Sequence, residues 1–188
     1  MRALPIRLAG PILVEPVVHG DERGFFLETF RRSAFAEFGL EEELVQYNHS
    51  RSRRGIIRGM HFQPGMGKLI RCVNGRIFDV VVDIRRGSPA FGRWEAFELN
   101  DQTHHQLYCP DGFAHGFCVL SDHADVVYGS TIYYDPQAEG GFRYDDPDVG
   151  IEWPAGLELI PSARDASAPA LSEIAPTLPF EFPAASHA

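Results

Sequence analysis

The sequence predicts an all-β fold, a small sandwich or barrel, and three observations carry that prediction. Short runs with period-2 alternation dominate the chain, they are rich in β-branched and aromatic residues, and Gly, Pro, Asn or Asp bounds them. Many short strands at regular spacing with such turns form sandwiches and barrels. The 188 residues suffice for one domain with a proper core and are few for two.

Taken in order, run 12–18 follows Gly10 and Pro11, and run 24–30 opens at Gly24. Run 44–50 precedes 68–73, which stops at Asn74 and Gly75, and 76–84 begins directly after. Run 94–99 ends at Asn100, 106–109 at Pro110, 113–120 follows Gly112, and 125–134 ends at Asp135 and Pro136. Only 31–38 has helical character, with Ser33 a candidate cap. Beyond Asp135 the texture changes. Pro136, Pro147, Pro154, Pro161 and Pro169 punctuate a segment of weak periodicity, which predicts irregular structure wrapped over the barrel. The expected layout is one domain over 1–176 and a loosely held tail over 177–188.

The formal net charge is -9 with no compensating basic run, which argues against nucleic acid as the main partner. A local cationic pocket for a small anion remains compatible with it. No stretch approaches the roughly 18–20 apolar residues that cross a bilayer, and the opening MRALPIRLAGPILVEP lacks a signal-peptide pattern. The expectation is a soluble cytoplasmic protein with no membrane partner. Cys72, Cys109 and Cys118 are an odd set without CxxC spacing among apolar neighbours, the pattern of buried inert thiols.

Several polar residues sit where strands are expected. His61 ends the apolar RGMHFQ stretch, with Arg58 three residues before it and Lys68 opening the next strand. Gln46 and Asn48 share one face of the preceding strand. A lone His there reads as a hydrogen-bonded core residue. Together, these groups need partners, because each buried polar group costs several kcal/mol unless paired, and a polar ligand inside the barrel would supply them. Alternation places Tyr128, Ser130, Ile132 and Tyr134 on one face. A strand tyrosine is ordinarily a packing residue, yet one here could offer a phenolic proton and the other a stacking surface for a nucleobase.

PDGFAHG (110–116) matches the second cupin motif, but HFQ (61–63) stands where the first motif carries its metal-binding pair, and His104 and His105 are adjacent. No metal cage is expected. His115 reads either as a turn-supporting histidine or as a ligand donor. In the C-terminal segment, Asp165 gains significance if it folds back to a histidine, since a carboxylate on one imidazole nitrogen fixes the tautomer and leaves the other free to take a proton.

The ordered blocks GDERGFF (20–26), NHS (48–50), RGMHFQ (58–63), FDVVVDIR (78–85), GFAHGF (112–117), YYDP (133–136), GIEWP (150–154) and SARD (162–165) resemble the dTDP-4-dehydrorhamnose 3,5-epimerase family. The resemblance implies a cupin-like β-barrel or jelly roll with a short helix and an irregular C-terminal segment over it, without metal or cofactor. It implies a homodimer in which N-terminal strands are exchanged. It makes His61 the base, Asp165 its orienting acid and Tyr128 the acid on the opposite sugar face, and it puts Lys68 among the residues that hold the ligand, while the chemistry makes Lys68 the candidate to stabilise the oxyanion. Tyr134 would stack on thymine, and Arg23, Phe26, Glu28, Gln46, Asn48, Arg58, His115, Glu139 and Arg164 would hold nucleotide, diphosphate or sugar.

That chemistry suits those residue types. A 4-keto group acidifies the neighbouring C–H bonds, and inversion needs a base on one face, an acid on the other and a cation near the ketone oxygen. No GxGxxG follows a strand and no P-loop is present. Three readings stay open: the 3,5-epimerase; a carbon-3-only epimerase or one for another nucleotide sugar; and a metal-dependent cupin or non-catalytic sugar-binding barrel.

Overall fold

The structure, a computed structural model, describes residues 1–183. Strand β8 (Arg76–Asp83) shows how the residue pattern builds its layers. Ile77 and Val81 point one way, into a core with Ile70, Leu107 and Phe117. Val80 and Val82 point the other way, into a second core with Met60, Ala114 and Phe142. Successive side chains of a strand face opposite sides, so this strand lies between two apolar layers.

The thirteen strands are β1 (Arg2–Leu4), β2 (Ile12–Glu15), β3 (Val18–Asp21), β4 (Gly24–Leu27), β5 (Gln46–Arg53), β6 (Ile57–Phe62), β7 (Lys68–Asn74), β8, β9 (Trp94–Asn100), β10 (Gln106–Cys109), β11 (Phe113–Val119), β12 (His123–Ser130) and β13 (Gly140–Gly141). A six-stranded sheet runs β1-β2-β10-β7-β12-β5, and a five-stranded sheet runs β13-β6-β11-β8-β9. All named pairings are antiparallel, and β3 and β4 form a separate hairpin. The two large sheets face each other across the first core, a jelly-roll arrangement. Gly75 carries the chain from one sheet to the other with φ 80°, and a Cβ there would lie 2.3 Å from the His123 carbonyl oxygen. Only glycine fits both constraints.

Helix α1 (Arg32–Ala36) covers the outer face of the six-stranded sheet, where Phe35 and Leu40 pack on Val14, Leu69 and Tyr108. It is shorter than the expected 31–38. Its N-cap is Arg31, without a side-chain cap bond, so Ser33 lies inside the helix and does not cap it. Pro16 and Val17 divide the expected 12–18 strand between β2 and β3, since proline brings no N–H to a ladder. The expected strand 125–134 stops at Ser130, which releases Ile132 and Tyr134 into a loop.

Beyond β13 the chain is irregular apart from α2 (Ala163–Ala166), α3 (Leu171–Ile174) and a 3-10 turn (Ala175–Thr177). The expected loose tail from Thr177 needs correction as far as Pro183. Leu178 and Phe180 are buried in the second core, and the Arg86 backbone N–H and C=O bond Phe180 O and Phe182 N. Residues 184–188 of that expected tail lie outside the described residues. The three cysteines are free and buried. Burial pushes the Cys72 and Cys109 thiols up to about 12 and Cys118 to about 11, so all three stay protonated near neutrality. No helix among the described residues is long and apolar enough to cross a membrane.

Candidate active site

Between the two sheets lies an open cavity of about 580 Å³, within the roughly 300–1,000 Å³ range of small-molecule sites. Its walls come from β5, β7 and β12 on one side and β6 and β11 on the other, and the Ile160–Asp165 segment closes one flank. Among the predicted residues, all but Arg23, Phe26 and Glu28 line it.

His61 sits near the end of β6, its Cα paired with His115 on β11 and Gly141 on β13. Close approach of β6 and β11 depends on Gly59, at φ 139°, where a Cβ would lie 2.5 Å from the Gly116 Cα. The ladder shifts register between His115 and Phe117, and such an irregularity re-aims side chains beside it. His61 Nε2 bonds Asp165 Oδ1 at 2.7 Å. Asp165 is delivered by the SARD sequence: Ser162 caps α2, and its Oγ accepts from the Asp165 N–H at 3.1 Å. The carboxylate then turns to His61, and the other ring nitrogen, Nδ1, lies 4.0 Å from Glu139 Oε1.

Tyr128 comes from the opposite sheet, paired with Asn48 and Ile70. Burial, then the charge of Glu139, push its phenol pKa up against the opposing pull of Arg58, so it keeps its proton at neutral pH and can donate it. Lys68 begins β7 beside Ser130 and Cys109. Its ammonium makes no side-chain hydrogen bond or ion pair among the described residues, and burial pulls its pKa down against Cys109, Glu139 and Asp79. A desolvated cation without a partner gains most from an anion placed beside it. Ser130 Oγ, buried on the same wall, also lacks a hydrogen-bond partner among the described residues.

His115 belongs to the pocket. Its Nε2 lies 3.0 Å from each oxygen of the fully buried Asp79, a second His–Asp pair facing the same space. Sequence reasoning assigned Asp79 no role, although an acid on the inner face of an apolar strand needs a partner. Burial pushes its carboxyl up despite His115 and Lys68. Gln63, which helps to hold the Tyr134 loop, was also missed. Gln63 donates to the Tyr133 carbonyl at 3.0 Å and accepts from the Asp135 N–H at 2.9 Å, while Gln46 accepts from the Tyr134 N–H at 2.9 Å. Gln46 also donates to Asn48 at 3.0 Å, and Arg58 to Ser52 Oγ at 3.0 Å. At the rim, the Tyr134 hydroxyl donates to Glu139 Oε2 at 3.0 Å, and Arg164 pairs with the same oxygen.

Arg23, Phe26 and Glu28 stand apart from the pocket of the single chain. Arg23 pairs with Asp21, Phe26 is 72% exposed on the β3–β4 hairpin, and Glu28 pairs with Arg31. Among the described residues no three His, Cys, Asp or Glu side chains converge to hold a metal ion. His104, buried with φ 56°, stacks instead on Phe25 at 4.6 Å.

This architecture, an antiparallel jelly roll with a His–Asp pair and a tyrosine facing one pocket from opposite sheets, places the chain among cupin-like barrels. Residues 5–173 match the dTDP-4-dehydrorhamnose 3,5-epimerase family model. The dTDP-4-dehydrorhamnose 3,5-epimerase of Salmonella typhimurium LT2 is 46% identical over 166 residues, covering 86% of this chain and 91% of the relative. A dTDP-4-dehydrorhamnose 3-epimerase of Streptomyces niveus is 42% identical, covering 92% and 85%. A dTDP-6-deoxy-D-glucose-3,5-epimerase from Legionella pneumophila Philadelphia 1, solved with dTDP-4-keto-L-rhamnose, superposes with a TM-score of 0.94 at 41% identity, covering 97% and 99%. The chain therefore belongs to the dTDP-4-dehydrorhamnose 3,5-epimerase family, isomerases of sugar nucleotides.

Proposed function

We propose that the chain inverts carbons 3 and 5 of dTDP-4-dehydro-6-deoxy-D-glucose to give dTDP-4-dehydro-L-rhamnose. His61 removes a proton from the carbon beside the ketone, the electron pair moves into an enolate, and Tyr128 returns a proton from the opposite face. The carrying observation is that His61 on β6 and Tyr128 on β12 approach one cavity from facing sheets. Asp165 holds the His61 ring with Nδ1 free. Lys68, without a side-chain partner among the described residues, answers the charge that builds on the ketone oxygen. Arg58 and Arg164 give an acidic protein a local site for a diphosphate. No electrons are gained or lost, so the reaction as written calls for no redox cofactor.

Arg23, Phe26 and Glu28 fit this reading when a second copy supplies them. The β3–β4 hairpin exposes Phe25 and Phe26, and β5 is a sheet edge that carries pocket residues Gln46 and Asn48. A homodimer with exchanged N-terminal strands would complete the pocket. A second reading, inversion at carbon 3 alone, draws on the similarity to the Streptomyces niveus 3-epimerase. A coupled assay with a reductase specific for the L-sugar separates the two. Reductase turnover supports the double inversion, and its failure while substrate is consumed supports the single one.

A further inference from the structure

His61 lies between two carboxylates. Asp165 accepts from Nε2, so Nδ1 is the nitrogen that receives the substrate proton, and Nδ1 faces Glu139 Oε1 at 4.0 Å. The two oxygens of Glu139 differ in their company. Oε2 accepts from the Tyr134 hydroxyl and from Arg164, whereas Oε1 has no hydrogen-bond donor among the described residues and is turned toward His61. The side chains of His61 and Glu139 are 25% and 12% exposed, and that of Arg164 at the rim is 56% exposed. His61, Glu139 and the Tyr134–Arg164 rim thus form a line from the base to solvent. Glu139 is also close enough to Tyr128 and Lys68 for its charge to favour the protonated form of each.

The inference rests on the double inversion described above. Each inversion leaves His61 with an extra proton and Tyr128 without one. A second carbon cannot be deprotonated until Nδ1 is empty again, and the bound sugar then fills the space in front of it. We propose that Glu139 clears this proton between the two inversions. The Nδ1–H bond breaks with its electron pair left on nitrogen, and an O–H bond forms at Glu139 Oε1. That proton then passes to water at the rim, which regenerates the carboxylate. The 4.0 Å gap is bridged by one water or by a small rotation of Glu139. Tyr128 recovers its proton from solvent, so the sum is an exchange of solvent protons. Glu139 acts through His61 and touches no reacting carbon.

The test is rapid-quench incubation of wild type, Glu139→Gln and Glu139→Asp with the 4-keto sugar nucleotide in deuterium oxide, reading label at each carbon. Whatever it does to binding, which bears on both carbons alike, Glu139→Gln should lower the rate of the second label relative to the first by roughly 10²-fold and accumulate a singly inverted sugar. Glu139→Asp, which keeps the carboxylate, should restore the second label. Equal slowing at both carbons in Glu139→Gln, or an unchanged ratio, overturns the relay. Label at carbon 3 alone in wild type also overturns it, because one inversion makes no such demand. Absence of all label in wild type overturns the epimerase reading itself.

Discussion

Asp165 and His61 are 104 positions apart in the chain and meet at 2.7 Å. Burial pushes the Asp165 carboxyl up, but the bond and charge from His61, with donors from Ser162 and Gly59, outweigh it and hold the carboxyl below its usual range. An ionised carboxylate only accepts, so His61 donates from Nε2, and in the neutral imidazole that leaves Nδ1 bare toward the cavity.

Asp165→Asn tests this directly. The amide keeps the size but can donate to Nε2, which drives the ring proton onto Nδ1 and blocks the base. The expected result is a fall in kcat of about 10²- to 10⁴-fold with little change in KM. Steady-state kinetics on the sugar nucleotide check it, and an unchanged kcat would remove the tautomer argument.

In the proposed mechanism His61 and Tyr128 act at different moments, so their variants should fail differently. His61→Ala should abolish exchange of both ring protons with solvent. Tyr128→Phe touches only reprotonation, so it should leave proton removal partly intact while inversion stops. Solvent exchange followed by NMR beside product formation reads both, and equal loss of exchange in the two variants contradicts the division of labour.

Asp125 predicts an acid-limb effect on stability. Bonds from Arg51, Asn74 and His49 hold its carboxyl well below the ordinary range. A group with a depressed folded pKa stabilises the fold above its unfolded value, near ~3.9, and loses that contribution as pH falls toward the folded value. Asp125→Asn should therefore melt below wild type at about pH 6, with the gap narrowing below about pH 4. A gap constant across that range in thermal melts would be the wrong outcome.

Phe180 tests whether the C-terminal strap belongs to the domain. It is 5% exposed and packs edge-on to Phe62 at 5.5 Å, next to His61 in sequence. Phe180→Ala should cost about 3 kcal/mol, read by urea unfolding. A change within about 0.5 kcal/mol would mark the strap as a passive surface segment.

The strands and the layered core were legible because alternation is a local signal. β8 and β11 were found nearly to the residue, since their apolar side chains repeat at every second position on one face or both. The pocket was legible where polar residues interrupted such strands, as with His61, Lys68 and Asn48. What escaped depends on tertiary company. Asp79 reads as one acid in an apolar run until β11 brings His115 against it. Gln63 matters because it holds a loop about 70 residues further on. The strap from Thr177 carries too little periodicity to announce that Leu178 and Phe180 fill the second core. Ser33 looked like a cap on residue type alone, but the chain turns into α1 two residues earlier, at Arg31.

The central claim is that His61 and Tyr128 invert two carbons of one sugar. Incubation with dTDP-4-dehydro-6-deoxy-D-glucose in deuterium oxide, with NMR and mass spectrometry locating the label, tests it most directly. The account predicts deuterium at both carbon 3 and carbon 5 of the recovered sugar, with both labels lost in His61→Ala. Label at carbon 3 alone, or label that survives His61→Ala, would contradict it.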